Sequence, residues 1–399
     1  MDQKVFNGER LRNARIYNGI SLTDLANQAE ISKQSISLYE NGKNTPDFTK
    51  VRTLSQILGF PMEYFFQENH IKTYTETTYF RTQATATKKG RAAQSVKLEF
   101  VAQIYEVLWN YVDFPMYNDP KVEFEGYDDP LDCETQEAIE EMEAAAQKVR
   151  ECWGLSDKPI KDLQYVLEQN GILVTGFPID ADKIDAFSQR TIVDNADVFL
   201  IAVALGKQFS ECRIRFDMAH ELGHIVLHPW SEDIESLSKD EFKARERQAN
   251  MFASAFLLPR ESFLRDVLQY PTDLNYYRHL KKKWKVSMQA MIVRAKQLNA
   301  ISLSQYQYMF RQLSKNGWRL SEPDDVLGEL NESIFQGAID LLFDNHILSA
   351  KTMMADFRRH GISLYPDMIE QLLHLKKGTL DYEDKVIPLV RIKNVNDTK

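Results

Sequence analysis

Two histidines and a glutamate lie close together in the stretch Phe216-Asp217-Met218-Ala219-His220-Glu221-Leu222-Gly223-His224-Ile225-Val226-Leu227-His228. Read as a helix, this spacing of four puts His220 and His224 on one face, one turn apart. Two imidazoles so placed can share one tetrahedral metal ion, and Glu221 beside the first can act as a base toward a water held there. The bare pattern is short and arises by chance, so the flanking residues must decide. Met218, Ala219, Leu222, Ile225, Val226 and Leu227 fill almost every other position. A helix apolar on all sides is a buried one, and imidazoles and a carboxylate inside it need partners that satisfy them. Gly223 costs a helix interior roughly 1 kcal/mol relative to alanine; close approach of a metal or of another backbone would account for it. His228 lies one further turn along, placed either to orient a substrate or to pack behind the ligands.

A hydrolytic zinc site usually takes three protein ligands and keeps one position open, so the third ligand is sought downstream. Glu232, Asp233 and Glu235 follow Pro229 in a polar stretch that reads as a loop, and Asp240, Glu241 and Glu246 come next. Glu246 opens a strongly patterned helix, with Ala249, Asn250, Ala253, Phe256 and Leu257 continuing its stripe until Pro259 ends it. A carboxylate on the buried face of a helix packed against the histidine helix makes Glu246 the first choice and Glu241 the second.

Two longer patterns in this region carry a resemblance. Arg213-Ile214-Arg215-Phe216, Ala219-His220-Glu221-Leu222-Gly223-His224 and Leu227-His228 are followed by Glu246-Arg247-Gln248-Ala249-Asn250, Phe252-Ala253 and Leu257-Leu258-Pro259. This pairing resembles the ImmA/IrrE family of bacterial zinc metallopeptidases. The resemblance implies one zinc ion per chain, bound by His220, His224 and Glu246, with Glu221 as general base. Asp217 departs from the small hydroxyl residue expected at its position.

The elements that must hold such a site follow from the whole chain. Its 399 residues suffice for two to four domains. With 43% hydrophobic and 27% charged residues the composition is that of an ordinary soluble protein. Three widely spaced cysteines, Cys133, Cys152 and Cys212, argue against a disulfide framework and for a reducing cytoplasm. No apolar signal core or membrane span stands out, and no membrane partner is expected. A net charge of −9 gives no general affinity for nucleic acid, so any DNA contact must be local.

Residues 8–66 supply a local candidate. Ser21 and Ser32 read as N-caps of two short helices, Asp24 completes a near capping box, and Gly42 closes the second helix. Two short helices around a tight turn make a helix-turn-helix, whose second helix enters the major groove by its N-terminal end. Gln34 can pair with adenine, Lys33, Ser35 and Ser37 suit base or phosphate contacts, and Lys43 follows in a position suited to the DNA backbone. The run Ser21-Leu22, Leu25-Ala26, Ile31-Ser32, Gln34-Ser35-Ile36-Ser37, Tyr39-Glu40 and Gly42 resembles the XRE family of phage-repressor-type domains. That resemblance implies base reading by Gln34 and its neighbours, and a homodimer on inverted half-sites of an operator in double-stranded DNA.

The expected fold is α+β and mostly helical. An all-α helix-turn-helix domain (1–68) is followed by a linker (69–133) with a helix over Val96–Val112 and an exposed acidic loop. A minimal zincin-like domain with a small sheet (134–300) comes next, then a helical C-terminal region (301–399) without a recognisable motif. Strands are expected at Gly171–Val174, Ile184–Phe187 and Val198–Leu205, the last as an edge strand open to peptide addition. The basic run Lys281-Lys282-Lys283-Trp284-Lys285 reads as a packing element rather than a second nucleic-acid surface. His346, His360 and His374 are isolated.

Three functions fit these residues. The first is a DNA-binding regulator whose peptidase cuts itself or a partner repressor; the family resemblance implies control of stress, phage or mobile-element genes. The second is a plain repressor or antitoxin with an inert metal-site scaffold. The third is a general protease tethered to DNA. Glu221 favours the first and third, since a structural site has no need of that acid.

Overall fold

The structure is a computed structural model, and it describes residues 5–68, 74–80, 88–178, 185–193, 196–206, 209–230 and 237–382. The expected loop acids Glu232, Asp233 and Glu235, together with Ile184 and residues 81–87, lie outside the described residues. The first helices are α1 Gly8–Tyr17, α2 Leu22–Ala29, α3 Lys33–Glu40, α4 Phe48–Leu58 and α5 Lys88–Trp109. They are followed by α6 Gln136–Cys152, α7 Leu163–Gln169, α8 Glu211–Leu227, α9 Lys239–Leu257, α10 Arg260–Val267 and α11 Leu274–Trp284. The last are α12 Met288–Gln297, α13 Leu303–Lys315, α14 Ile334–Asp344, α15 Ala350–Arg359 and α16 Pro366–Leu372. Four strands join them: β1 Tyr74–Phe80, β2 Ile172–Pro178, β3 Ala186–Val193 and β4 Ala196–Leu205. The fold is mostly helical with one small sheet.

Local sequence explains the N-terminal helices. Ser21 and Asp24 form the reciprocal capping box of α2, Ser32 caps α3 and Asp47 caps α4. Glu30, at φ 53°, makes the left-handed turn that reverses the chain between α2 and α3. Leu11, Leu25, Ile36 and Leu54 fill the centre. Arg15 grips the buried Glu40 carboxylate with two hydrogen bonds of 2.6 and 2.9 Å, tying α1 to the end of α3. Such a pair is felt mainly when one member is removed and the other stays buried alone. This bundle sits directly on α5: Tyr17, Phe60 and Tyr64 all stack around Phe100. Gln67 also donates to the Arg358 carbonyl at 3.0 Å, at the end of α15.

The strand order is β1-β3-β4-β2, with β2 parallel to β4 and the other pairs antiparallel. The expectation that Val198–Leu205 forms an edge strand is overturned, because β4 lies between β3 and β2. Its unbroken apolar run suits a strand covered on both faces. Val198, Leu200 and Ala202 share one core with α5 and with residues of α14 to α16. Phe199, Ile201 and Val203 share the other with residues of α6 to α13. The sheet is therefore a partition: α5 and the C-terminal helices lie on one side, and α8 lies on the other.

Residues 301–382 are not helical throughout. The segment 319–333 is irregular and is held by polar contacts. The buried Glu322 carboxylate accepts from Met288 N (2.8 Å) and Gln289 N (3.0 Å) at the start of α12, and pairs with the buried Lys281. Lys282, Lys283 and Lys285 pair with Asp324, Asp266 and Glu211. Each lysine of the basic run thus has an acid partner: Lys281 is buried with Glu322, and the other three pair at the surface. Among the described residues, no helix is long and apolar enough to cross a membrane.

The same segment docks onto α7. Asn331 N donates to Gln164 at 2.8 Å and Ile334 N to Glu168 at 3.2 Å. Burial pushes the Glu168 carboxyl up to about 8, against the smaller opposing effect of the Ile334 bond. Since this value lies above the ordinary 4.5, the folded protein retains a proton that the unfolded chain has already lost. This group's contribution to stability therefore declines as pH rises from about 4.5 to 8. Glu168→Gln keeps the acceptor and removes the ionisation. Thermal unfolding should show the variant gaining on wild type by on the order of 1–3 kcal/mol between pH 5 and pH 9. A constant difference across that range would refute the assignment.

Candidate metal centre

Helices α8 and α9 carry the site. Ser210 caps α8, and Ser238 with Glu241 forms a capping box on α9. Helix α9 therefore begins at Lys239, seven residues before Glu246, which lies in mid-helix and does not open it. Its far end is buried, and the carbonyls left without helical partners there are met by arginines. Arg150 donates to Phe256 O at 2.6 Å and Arg294 to Leu258 O at 3.1–3.2 Å. Gly223 is where the two helices touch: a Cβ there would meet Ala249 Cα at 3.1 Å and Ala249 O at 3.2 Å. A neighbouring backbone, one of the two causes considered for this glycine, is the one found.

This contact brings His220, His224 and Glu246 together, with their ligand atoms within 4.8 Å of one another. The two Nε2 atoms are 3.0 Å apart, and the Glu246 carboxylate lies 3.5 Å from His220 and 3.2 Å from His224. Hydrogen bonds around the rings fix their tautomers. Asn250 donates through Nδ2 to Glu246 O (2.7 Å), so its Oδ1 accepts from His220 Nδ1 at 3.2 Å. Gln248 donates through Nε2 to Tyr127 O (2.7 Å), so its Oε1 accepts from His228 Nε2 at 2.9 Å. The remaining His228 nitrogen, Nδ1, then accepts from His224 Nδ1 at 2.9 Å. Burial, and then the neighbouring His224, push the His228 pKa well below the ordinary histidine value, in keeping with this neutral relay.

Both ligand rings thus keep a proton on Nδ1 and present the Nε2 lone pair to the other ring. Burial works to raise the Glu246 pKa; the opposing pull of His220 and His224 needs positive charge at their Nε2 atoms, which a bound cation would supply in place of a proton. Two lone pairs and a carboxylate facing one another in a largely closed space form a donor set that would accept a cation. Zinc–nitrogen bonds of about 2.0–2.1 Å would set the two nitrogens of a tetrahedral site roughly 3.3 Å apart, close to the 3.0 Å found here. The donor set fits such an ion.

Glu221 is buried beside this cluster and accepts from Ser188 Oγ, on β3, at 2.6 Å. Ser188, Gln248 and Tyr127 escaped the sequence reading. Of the supports, the sequence hinted at Asn250, by its step of four from Glu246, and at His228, one turn past His224. The acidic loop is only partly the exposed segment expected, since Tyr127 O and Pro130 O anchor Gln248 and Arg247 of α9. Glu241, the second choice as ligand, accepts from Ser238 N at 2.7 Å and serves as the cap of α9. The buried Asp217 lies 3.9 Å from Arg213. His346, His360 and His374 stand apart from the cluster. In the N-terminal bundle, Lys33 and Gln34 are exposed at the start of α3, Ser35 and Ser37 are half-buried along it, and Lys43 is exposed just beyond.

Residues 167–296 match the peptidase-family model described as the IrrE N-terminal-like domain. Residues 8–71 match a model described as a helix-turn-helix domain. The chain therefore joins a helix-turn-helix domain to an IrrE-like, metallopeptidase-type domain, and the candidate metal centre lies within the 167–296 match. A search of curated proteins finds no match to the chain.

The relay makes His228 a positioning residue for His224. Truncation at His228 should cost about 10–100-fold in metal affinity while the fold survives. Competition with a chelator on His228→Ala measures this; an affinity equal to wild type would show that His224 needs no such support.

Proposed function

We propose that this chain is a DNA-bound transcriptional regulator whose central domain is a zinc-dependent endopeptidase. Its substrate would be the chain itself or a partner repressor, and its role the control of stress, phage or mobile-element genes in the cytoplasm. The observation that carries this reading is the convergence of His220, His224 and Glu246 beside a buried Glu221 held by Ser188. His220, His224 and Glu246 would hold one zinc ion per chain. When bound, zinc supplies a Lewis acid that polarises a peptide carbonyl and eases deprotonation of an attacking water.

The chain's own groups do the rest. Ser188 donates to one Glu221 oxygen and so orients the carboxylate, which as general base receives the proton of the attacking water. Glu221 then returns that proton to the leaving amine as the peptide bond breaks. The dry surroundings of α8 strengthen each of these interactions. In the N-terminal bundle, Gln34 would read a base at the mouth of the major groove, with Lys33, Ser35 and Ser37 beside it and Lys43 on a phosphate. A homodimer would place two such helices on inverted half-sites.

Glu221→Gln tests the chemistry. Elemental analysis should find one zinc per chain in both proteins, and mass spectrometry should find a defined cut only with Glu221 present. Equal cutting by the variant would remove Glu221 from the reaction, and absence of zinc from the native protein would remove the peptidase reading altogether.

The DNA contacts are tested on duplexes selected from a random pool. Gln34→Ala should lose about 1–3 kcal/mol of binding to the selected sequence only. Lys43→Ala should weaken every duplex alike and lower the salt slope by about one. Unaltered binding by both variants would leave α3 without the proposed role.

A further inference from the structure

Strand β3 is the part of the sheet that touches the site, through the 2.6 Å bond from Ser188 to Glu221. One edge of β3 is taken by β4. The other is taken by β1, antiparallel, with Tyr79 opposite Ser188, Thr78 opposite Gln189 and Phe80 opposite Phe187. The strand nearest the candidate base thus has its outer edge filled by the chain's own residues 74–80.

This occupant is foreign to the rest of the sheet. Strands β2, β3 and β4 all fall within the span that matches the peptidase-type model, residues 167–296, whereas β1 precedes it by more than eighty residues. It also lies outside the helix-turn-helix match, which ends at 71. Its sequence, Tyr-Thr-Glu-Thr-Thr-Tyr-Phe, is composed almost wholly of residues that favour strands. Its pairing with β3 is irregular between Thr75 and Thr77. An extended segment lying antiparallel on a sheet edge is how strand addition recognises peptides: main-chain hydrogen bonds supply the affinity, and alternate side chains the selectivity.

We propose that the outer edge of β3 is the peptide-binding surface of this site, and that β1 is its built-in tenant. By competing with substrate the tenant slows use of the site without abolishing it, and it shows the ligand class: an extended segment rich in threonine and aromatic residues. This rests on the peptidase reading, but the binding surface is testable without it. A tethered segment has an effective concentration in the millimolar range, so a peptide in trans competes poorly while β1 can pair. Release of β1 also bears on the DNA-binding helices, because residues 74–80 lie in the connection between them and α5.

The test uses the full chain and a fluorescent synthetic peptide of residues 72–82. Thr78→Pro/Tyr79→Pro puts proline at two successive positions, one of whose N–H groups must point to β3 in an alternating ladder. The variant should bind the peptide at least ten-fold more tightly than wild type. Those amides of Ala186–Val193 that face β1 should exchange at least ten-fold faster in the variant and regain protection when peptide is added. Equal binding by the two proteins, or unchanged exchange in β3, overturns the proposal. If the prolines also strip protection from α8 and α9, the milder Thr78→Gly/Tyr79→Gly variant decides by the same two readings. Neither measurement needs hydrolysis. Loss of cutting in every protein would sink the peptidase reading and leave this one standing, and the reverse pattern would do the opposite.

Discussion

The structure depends on a crowding of electron-rich groups that cannot coexist alone. Two imidazole nitrogens 3.0 Å apart and a carboxylate within 3.5 Å share a space almost closed to water. Uncompensated, such a buried charge costs on the order of several kcal/mol. The surrounding architecture keeps these groups together where relaxation would separate them. Gly223 lets α9 approach α8 to backbone contact, and Asn250 and the Gln248–His228 pair fix each ring by its far nitrogen. Arg150 and Arg294 close the end of α9, so that the helix carrying Glu246 is held at both ends. A bound cation would make this arrangement favourable, and the preorganisation would make the cation's place specific.

What could be read in the sequence follows the reach of each interaction. His220 and His224 are neighbours by helical spacing alone, so their juxtaposition was legible before any tertiary contact. Glu246 required the further inference that two buried helices pack together, and the grouping holds even though α9 begins seven residues earlier than its apolar stripe suggested. Ser188 was invisible, because a serine in a short strand carries no sign of which helix lies over it. Strand order was invisible for the same reason. The apolar run of β4 identifies a buried strand, but periodicity does not name its neighbours, and the expected edge turned out to be interior. Residues 74–80 read as a polar connection because threonine-rich sequence is ambiguous until something offers it an edge.

The sheet joins the two halves of the molecule. Its faces belong to different cores: alternate residues of β4 reach α5 on one side and α8 on the other. The DNA-binding helices rest on α5 through Phe100, and α5 rests on the sheet. The C-terminal helices meet the same core, and Thr175 of β2 donates to the Leu372 carbonyl of α16 at 2.6 Å. Between α3, where DNA would bind, and Glu221, every step is a packed contact between ordered elements.

Coupling of two sites needs an element with two arrangements that both sites can bias; a continuous path is not enough. Most of this path is unsuited to that role. The cores are apolar, side chains cap α2, α3, α4 and α8, and Arg15 holds the buried Glu40 by two hydrogen bonds. Strand β1 is the exception. It lies at an edge of the sheet, as β2 does, but among the described strand pairs its ladder alone is interrupted. The chain leads from it directly to the DNA-binding helices on one side and to α5 on the other. Strain transmitted from α1 to α4 would act on it as surely as a competing peptide at β3. Among the described elements, β1 is therefore the one through which occupancy of DNA and access to Glu221 would influence each other.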